Sequence, residues 1–200
     1  MNKIEKKAAV GRYEITESDL ATINEFALKE LGAEDVFIFK LGLCDNEIDR
    51  DIECFPIVTL KGLAKMFIGK TIIKDHMPSS DNQVARIFKT ELIQSGDTAT
   101  TGEPYTQLIG YCYVLRTTQN ESFIADIEGG IKSECSVSCS VKTSVCSICG
   151  QSPNCEHQRG EIYEGKMCYR KLEHAYDAYE VSFVAVPAQT QSGVKKEYDE

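Results

Sequence analysis

Serines and cysteines are concentrated in one stretch of the sequence, IKSECSVSCSVKTSVCSICG, which runs from Ile131 to Gly150. Up to about Thr143 the two residue types alternate with a period of two, which is typical of a strand with one face toward the core. The apolar face carries Cys135, Val137, Cys139 and Val141, and the opposite face carries Ser136, Ser138 and Ser140. By default, such a row of hydroxyls is the solvated face of an amphipathic strand.

A serine in this row could act as a nucleophile only if a general base lay within hydrogen-bond reach. The sequence has three histidines. His157 lies in the cysteine-rich segment, and His174 lies on a predicted hairpin return. His76 follows the apolar strand TIIKD and precedes a proline turn, where a ring can be held rigidly at a rim. A single histidine more often has a structural role than a catalytic one, so the residue pattern by itself does not identify the general base.

Beyond Thr143 the alternation ends and the spacing becomes that of a metal site. Cys146, Cys149, Cys155 and His157 form the pattern C-x2-C-x5-C-x-H. Three thiolates and one imidazole make a closed tetrahedral set, which is typical of a structural zinc ion. Cys168 is an alternative fourth ligand in place of His157, and free buried cysteines are the alternative without a metal. Zinc deaminase chemistry would need an H-x-E motif, which the sequence lacks.

The composition limits the class of protein. The chain has 200 residues, which predicts a single domain over 1–200, with the cysteine-rich segment 143–171 as an insertion. The net charge of -9 argues against binding to a phosphate backbone. No apolar run approaches the ~18 residues of a membrane span, and no signal peptide is indicated. A cytosolic location is therefore expected, where cysteines such as Cys44, Cys54 and Cys112 are buried rather than disulfide-bonded.

The elements that must position these residues can be predicted from periodicity. Helices are expected over TESDLATINEFALKELGA, with Thr16 or Ser18 as the cap, and over TLKGLAKMFIG and NESFIADIEGG. Strands are expected over DVFIFKLGL, KTIIKDH, QVARIFKTELI, LIGYCYVLRT, the serine-rich stretch and AYDAYEVSFVAVPA, with a polar loop over 94–107. The polar tail after Pro187 is expected to be loose. Strands outnumber helices, which predicts an α+β fold: a mostly antiparallel β-barrel or sandwich flanked by a few helices.

Four segments, in this order, resemble the prohead maturation proteases of tailed phages, serine peptidases related in fold to the herpesvirus assemblin. DNEIDRDIECF is similar to the early D-R-D loop of that family, and GKTIIKDH to the strand that leads to its catalytic histidine. SECSVSCSV is similar to the nucleophile strand, although Ser138 stands where the family commonly has glycine. YEVSFVAVPAQ is similar to the closing E-x-S-x-V-x-x-P-A segment. The resemblance runs from Asn46 to Gln189 and implies an assemblin-like fold.

The resemblance also implies a function and a set of site residues. Ser136 matches the nucleophile, His76 matches the general base, and Glu180 is the best candidate for the carboxylate that orients the histidine. Asp177 and Asp126 are the alternatives to Glu180. The implied activity is that of a serine endopeptidase that cleaves scaffold and capsid-protein segments, and its own chain, during procapsid maturation. The implied location is the cytoplasm of a bacterial host, inside assembling procapsids, without nucleic-acid or membrane partners. A homo-oligomer is left open.

Three competing functions are compatible with parts of the same pattern. The first is a catalytically inactive, zinc-stabilised capsid assembly or scaffold protein, in which Ser136 and His76 are solvated strand-end residues. The second is a thiol protease that uses Cys135 or Cys139, but both thiols fall on the apolar face, where a thiolate is disfavoured. The third is a zinc-ribbon nucleic-acid binder, against which the charge of -9 argues.

Overall fold

The computed structural model describes residues 13–152 and 155–195. Within these residues it has three α-helices, namely α1 (Glu17–Asn24), α2 (Ile57–Phe67) and α3 (Glu121–Glu128). The strands are β1 (Val36–Asp45), β2 (Glu53–Cys54), β3 (Thr71–Lys74), β4 (Ala85–Thr98), β5 (Pro104–Leu115), β6 (Cys135–Cys146), β7 (Ile162–Tyr163), β8 (Lys166–Met167), β9 (Arg170–Phe183) and β10 (Gly193–Val194). None of the helices in these residues is long and apolar enough to cross a membrane.

Eight of the strands form one mixed sheet, and β9 is the strand to which β2, β3 and β6 are all paired. The order is β10-β1-β5-β4-β3-β9-β2, and β6 also pairs with β9. β3 and β2 run parallel to β9, and the other pairs are antiparallel. Val181, Ser182 and Phe183 of β9 pair with both β3 and β6, so these two strands lie on opposite edges of β9. Residues from β3, β9 and β6 can therefore meet over one face of the sheet.

The predicted α+β class with a predominance of strands is confirmed, but the closed barrel named as one option is not formed. In the described part of the chain the sheet stays open, and one isolated bridge, Glu134 with Gly193, links its two ends. The reason is the length of β10, which has only two residues and pairs with β1 at Leu41 and Gly42. A strand this short cannot supply the continuous ladder that closure requires.

The first helix begins where the sequence predicts and ends earlier. The side chain of Thr16 caps it and forms a capping box with Asp19. The helix ends at Asn24, although the apolar pattern continues to Leu31. The Asn24 side chain accepts a hydrogen bond from the Leu31 N–H and donates one to the Leu31 carbonyl. These bonds offer the chain a turn in place of a further helical turn, which is the usual competition from asparagine.

Two other predictions were wrong about segments that are polar. Strand rather than loop occupies much of 94–107, because β4 continues to Thr98 and β5 begins at Pro104. The tail after Pro187 is not loose over its described residues, which end at Lys195. Gln189 is buried and exchanges two hydrogen bonds with the backbone of Asp45, at 2.8 and 3.2 Å. Backbone pairing and buried side-chain hydrogen bonds order these segments, and neither leaves an apolar pattern in the sequence.

The core lies between the sheet and the helices α2 and α3. Leu60, Leu63 and Phe67 of α2 are fully buried and pack in one cluster with the apolar residues of β1, β5, β6 and β9. As expected, the cysteines outside the metal-site pattern are largely inside: Cys44, Cys54, Cys112 and Cys135 are buried, and Cys139 is partly buried. These side chains act as small apolar groups in the packing.

Candidate active site and metal centre

His76 lies in a tight turn directly after β3. Its φ is +50°, and that of Asp75 is +56°, a left-handed conformation that non-glycine residues rarely adopt. The amide of Asn82 donates hydrogen bonds of 2.8 Å to the carbonyls of Lys74 and Met77, which fixes the turn from outside. Backbone strain of this kind persists only where the surrounding structure enforces it, and it is concentrated at functional sites.

The ring of His76 contacts a carboxylate on the neighbouring strand. His76 Nδ1 lies 2.7 Å from Oε1 of Glu180 in β9. A carboxylate accepts hydrogen bonds, so Nδ1–H is the donor in this contact, and in the neutral imidazole that tautomer leaves Nε2 as an acceptor. The His76 side chain is 41% exposed and that of Glu180 11%, so the imidazole faces solvent while its partner is sheltered. This is the arrangement of an oriented general base.

A third side chain, Ser182, joins this pair and was missed as a site residue in the sequence. Its hydroxyl accepts a hydrogen bond from the His76 backbone N–H at 3.0 Å and donates one to Glu180 Oε2 at 2.8 Å. Ser182 is fully buried, so it cannot itself meet a substrate. The signal for it was its position two residues after Glu180, which puts both side chains on one face of a strand.

Ser136 is placed on the same face as these residues by the register of β6 and β9. Ser136 pairs with Ser182, and Ser138 pairs with Glu180. Directly opposed side chains in an antiparallel pair have Cβ atoms roughly 5 Å apart. Ser136 and Ser138 are both partly exposed. Although His76 and Ser136 both lie in the described residues, no hydrogen bond joins the Ser136 hydroxyl to the ring.

The alternative carboxylates have other partners. Asp177 forms an ion pair with Lys70 at 3.7 Å, and Asp126 forms one with Lys132. Neither has a hydrogen bond or ion pair with His76 among the described residues. Glu180 is therefore the candidate that the structure brings to the imidazole.

Two thiols in the same strand as Ser136, those of Cys135 and Cys139, are poorly suited to nucleophilic chemistry. Burial raises the pKa of Cys135 to about 12 and that of Cys139 to about 11. Cys135 is also held by a hydrogen bond of 3.2 Å to the carbonyl of Gly42. Because the thiolate is the nucleophilic form, these values disfavour a thiol protease that uses either residue.

The cysteine-rich segment forms a cluster that could hold a metal ion. One ligand atom each of Cys146, Cys149, Cys155 and His157 lies within 4.8 Å of every other. Sulfur atoms that share a tetrahedral zinc ion are about 3.8 Å apart, given Zn–S bonds of about 2.3 Å. Gly150, with φ of +72°, provides the bend after the C-x2-C pair. The four predicted ligands are thus close to the arrangement that one ion would need.

The state of two of these ligands fits a metal. His157 Nδ1 is buried and has no hydrogen-bond partner among the described residues, which a coordinated ion would satisfy. Burial raises the pKa of Cys146, but hydrogen bonds from the backbone N–H groups of Cys149 and Ile148 outweigh this effect and lower it to about 6. A thiol that is already deprotonated near neutral pH is a ready metal ligand.

Cys168 lies beside the cluster as a fifth donor. It is fully buried, and its Sγ is 3.7 Å from that of Cys146. It follows the β7–β8 hairpin, whose Tyr163 packs edge-on against the His157 ring at 4.5 Å between centroids. The β7–β8 hairpin therefore returns the chain so that Cys168, the alternative fourth ligand, lies beside the cluster.

The cluster is attached to the two strands that carry the other site. Cys146 is the last residue of β6, and it pairs in register with Arg170, the first residue of β9. An ion at this end would hold the β6–β9 register. Since Ser136 is ten residues along β6 from Cys146, the two sites are separated by roughly 33 Å of strand. Any effect of the metal on Ser136 must act through the strand register.

Comparisons of this chain with protein-family models, with curated proteins and with solved structures found no match.

Proposed function

We propose that this protein is a serine endopeptidase in which Ser136 is the nucleophile, His76 the general base and Glu180 the orienting carboxylate. The observation that carries the proposal is the 2.7 Å contact between His76 Nδ1 and Glu180 Oε1, in a strained turn next to the strand that bears Ser136. Substrate binding commonly tightens a nucleophile–base hydrogen bond that is long in the free enzyme.

The mechanism is acyl transfer. The Ser136 hydroxyl attacks a peptide carbonyl carbon, and its proton passes to His76 Nε2. Glu180 holds the proton on Nδ1 and stabilises the imidazolium that forms. The carbon–nitrogen bond then breaks, and the amine leaves with the proton from His76. A water molecule, deprotonated by His76, then attacks the resulting ester; the bond between the carbonyl carbon and the Ser136 oxygen breaks, and His76 returns the proton to that oxygen as the carboxylic acid leaves.

The metal in this proposal is a structural zinc ion held by Cys146, Cys149, Cys155 and His157, with Cys168 as the alternative to His157. A site closed by four protein ligands supplies cross-linking and leaves no position for a reacting water. Its contribution is to secure the ends of β6 and β9, the strands of Ser136 and Glu180.

The proposed fold family, substrates and location rest on the resemblance to prohead maturation proteases. On this basis the fold is assemblin-like, and the substrates are scaffold and capsid-protein segments and the chain itself. Cleavage would take place in the cytoplasm of a bacterial host, inside assembling procapsids. The net charge of -9 supports a protein that does not bind DNA.

A fluorophosphonate probe, which phosphonylates activated serines irreversibly with loss of fluoride, tests this proposal on the metal-loaded protein. We expect one label per chain, mapped to Ser136 by peptide mass, and loss of labelling in Ser136→Ala and His76→Ala. Ser138→Ala is the matched control, since Ser138 is the next hydroxyl on the same strand face. Labelling of Ser138, or equal labelling of all variants, would contradict the assignment.

A second candidate is favoured by the lack of a hydrogen bond between Ser136 and His76. It is the catalytically inactive, zinc-stabilised capsid assembly or scaffold protein. That protein would keep the fold and the metal cluster but would not react with the probe. Activity that disappears in Ser136→Ala would exclude it.

A further inference from the structure

The strand that carries Ser136 has a free edge. β6 pairs with β9 along one edge, and in the described part of the chain no strand pairs with its other edge. Between residues 136 and 145 no backbone group forms a hydrogen bond outside that ladder, within the same described ranges. In an antiparallel strand about half of the N–H and C=O groups point away from the partner, so a row of them is available here. Such a row can pair with an extended peptide.

A pocket of about 250 Å³ lies along this edge. Its apolar lining comes from β6 and from the elements around it: Leu43, Phe55, Val137, Cys139, Val141, Leu172. Ser136 and Ser138 also line it. The side chains of an added strand alternate between the two faces of the sheet. One side chain would therefore lie toward His76, and the next along the peptide would enter the pocket.

Two carboxylates also line the pocket, Asp49 and Glu53. Asp49 Oδ1 accepts hydrogen bonds from the N–H groups of Asp51 and Glu53, and its Oδ2 has no hydrogen-bond partner among the described residues. Glu53 pairs at 2.8 Å with Arg159, whose side chain is about half exposed. Burial raises the pKa of both carboxyl groups, and hydrogen bonds from the backbone to Asp49 and the Arg159 charge beside Glu53 offset this effect only in part. The lining thus combines apolar walls with two acidic groups, of which only Glu53 is paired with a cation in the described part of the chain.

We propose that this pocket is a specificity site that takes a lysine or arginine side chain of an extended peptide paired with the free edge of β6. Only these two side chains carry a long apolar stem that ends in a positive charge. The stem matches the walls formed by Phe55 and Val141, and the charged end matches Asp49 and Glu53. The peptide in this role is a substrate, so the inference rests on the proposed serine endopeptidase function.

The test measures peptide binding to metal-loaded Ser136→Ala, so that hydrolysis plays no part. Fluorescent decapeptides of neutral, extended sequence carry lysine, norleucine or glutamate at one central position and are titrated by fluorescence anisotropy. We expect lysine to bind at least about tenfold more tightly than norleucine, which has the stem without the charge, and glutamate to bind most weakly. Equal affinities for lysine and norleucine, or no binding of any peptide, would overturn the proposal.

Variants in the same background locate the charge responsible. Asp49→Asn keeps an oxygen for the two backbone N–H groups and removes the charge, so it should reduce the lysine preference about tenfold. Glu53→Gln should reduce it as well. Asp51→Asn is the matched control, because Asp51 is exposed in the same loop and does not line the pocket. An equal effect of all three variants would show general attraction to an acidic protein and would overturn the site.

The outcome is separable from that of the proposed function. A lysine preference, combined with a wild-type chain that hydrolyses nothing, would refute the protease and keep the pocket. Hydrolysis without any lysine preference would refute the pocket and keep the protease.

Discussion

Replacement of Ser182 by alanine tests whether the His76–Glu180 pair is held by a buried hydroxyl. The change removes two hydrogen bonds, one from the His76 N–H and one to Glu180 Oε2, at a fully buried position. An unsatisfied buried group costs about 1–3 kcal/mol, and a bond to a charged group contributes about 1.5–3 kcal/mol. Relaxation of the structure around residue 182 and entry of water will reduce the sum of these two costs. We therefore expect Ser182→Ala to lower the free energy of unfolding by about 2–4 kcal/mol.

The assay is urea denaturation of the metal-loaded protein, with Ser138→Ala as control. Ser138 lies on the same sheet face, and its side chain forms no hydrogen bond within the described residues. Its replacement should change the free energy of unfolding by less than about 0.5 kcal/mol. We also expect Ser182→Ala to slow fluorophosphonate labelling of Ser136, because the imidazole loses its fixed orientation. Equal stability of the two variants, together with an unchanged labelling rate, would refute the bridging role of Ser182.

Three further predictions concern the carboxylate, the metal and the acid response. Glu180→Gln should reduce labelling of Ser136 by about 10²–10⁴-fold, because Glu180 Oε1 lies 2.7 Å from His76 Nδ1. Asp177→Asn should leave labelling unchanged, because Asp177 is paired with Lys70 instead. Equal rates in the two variants would exclude Glu180 from the site. Metal analysis should find one zinc ion per chain, and this zinc should be lost in Cys149→Ser but kept in Cys139→Ser. Removal of the zinc by a chelator should lower the melting temperature of the protein. An unchanged melting temperature would refute the structural role of the metal. Burial raises the pKa of Asp19, but hydrogen bonds from Thr16 and Tyr13 outweigh the effect of burial, and the pKa lies below its usual value. The ionised carboxylate therefore stabilises the fold at neutral pH, and this stabilisation is lost below about pH 4, as the group becomes protonated. Denaturation at several pH values should show a smaller loss on acidification in Asp19→Asn than in the wild type.

The parts of the fold that follow from periodicity could be predicted from the sequence. The alternation of Cys135, Val137 and Cys139 with serines gave the correct two faces of β6. The capping residue Thr16 marked the start of α1. These features depend on interactions between residues that are near one another in the chain, so a local pattern records them.

Features that depend on distant partners could not be predicted in the same way. The end of α1 at Asn24 and the order around Gln189 each come from two hydrogen bonds between one side chain and the backbone of another segment. The open sheet results from the shortness of β10. The position of Ser182 between His76 and Glu180 required knowing that β3 lies beside β9. For the metal site, spacing alone suggested the ligands, because all four are near one another in sequence.

Intact-mass measurement during expression and storage tests the central claim, that Ser136 is the nucleophile of a protease, most directly. The wild type, Ser136→Ala and Ser140→Ala are compared over time as metal-loaded proteins; Ser140 lies in the same strand but does not line the pocket. We expect the wild type and Ser140→Ala to shorten at the same positions, while Ser136→Ala keeps its full mass. Identical shortening of all three would place the activity in another residue or in a contaminating protease and would contradict the account.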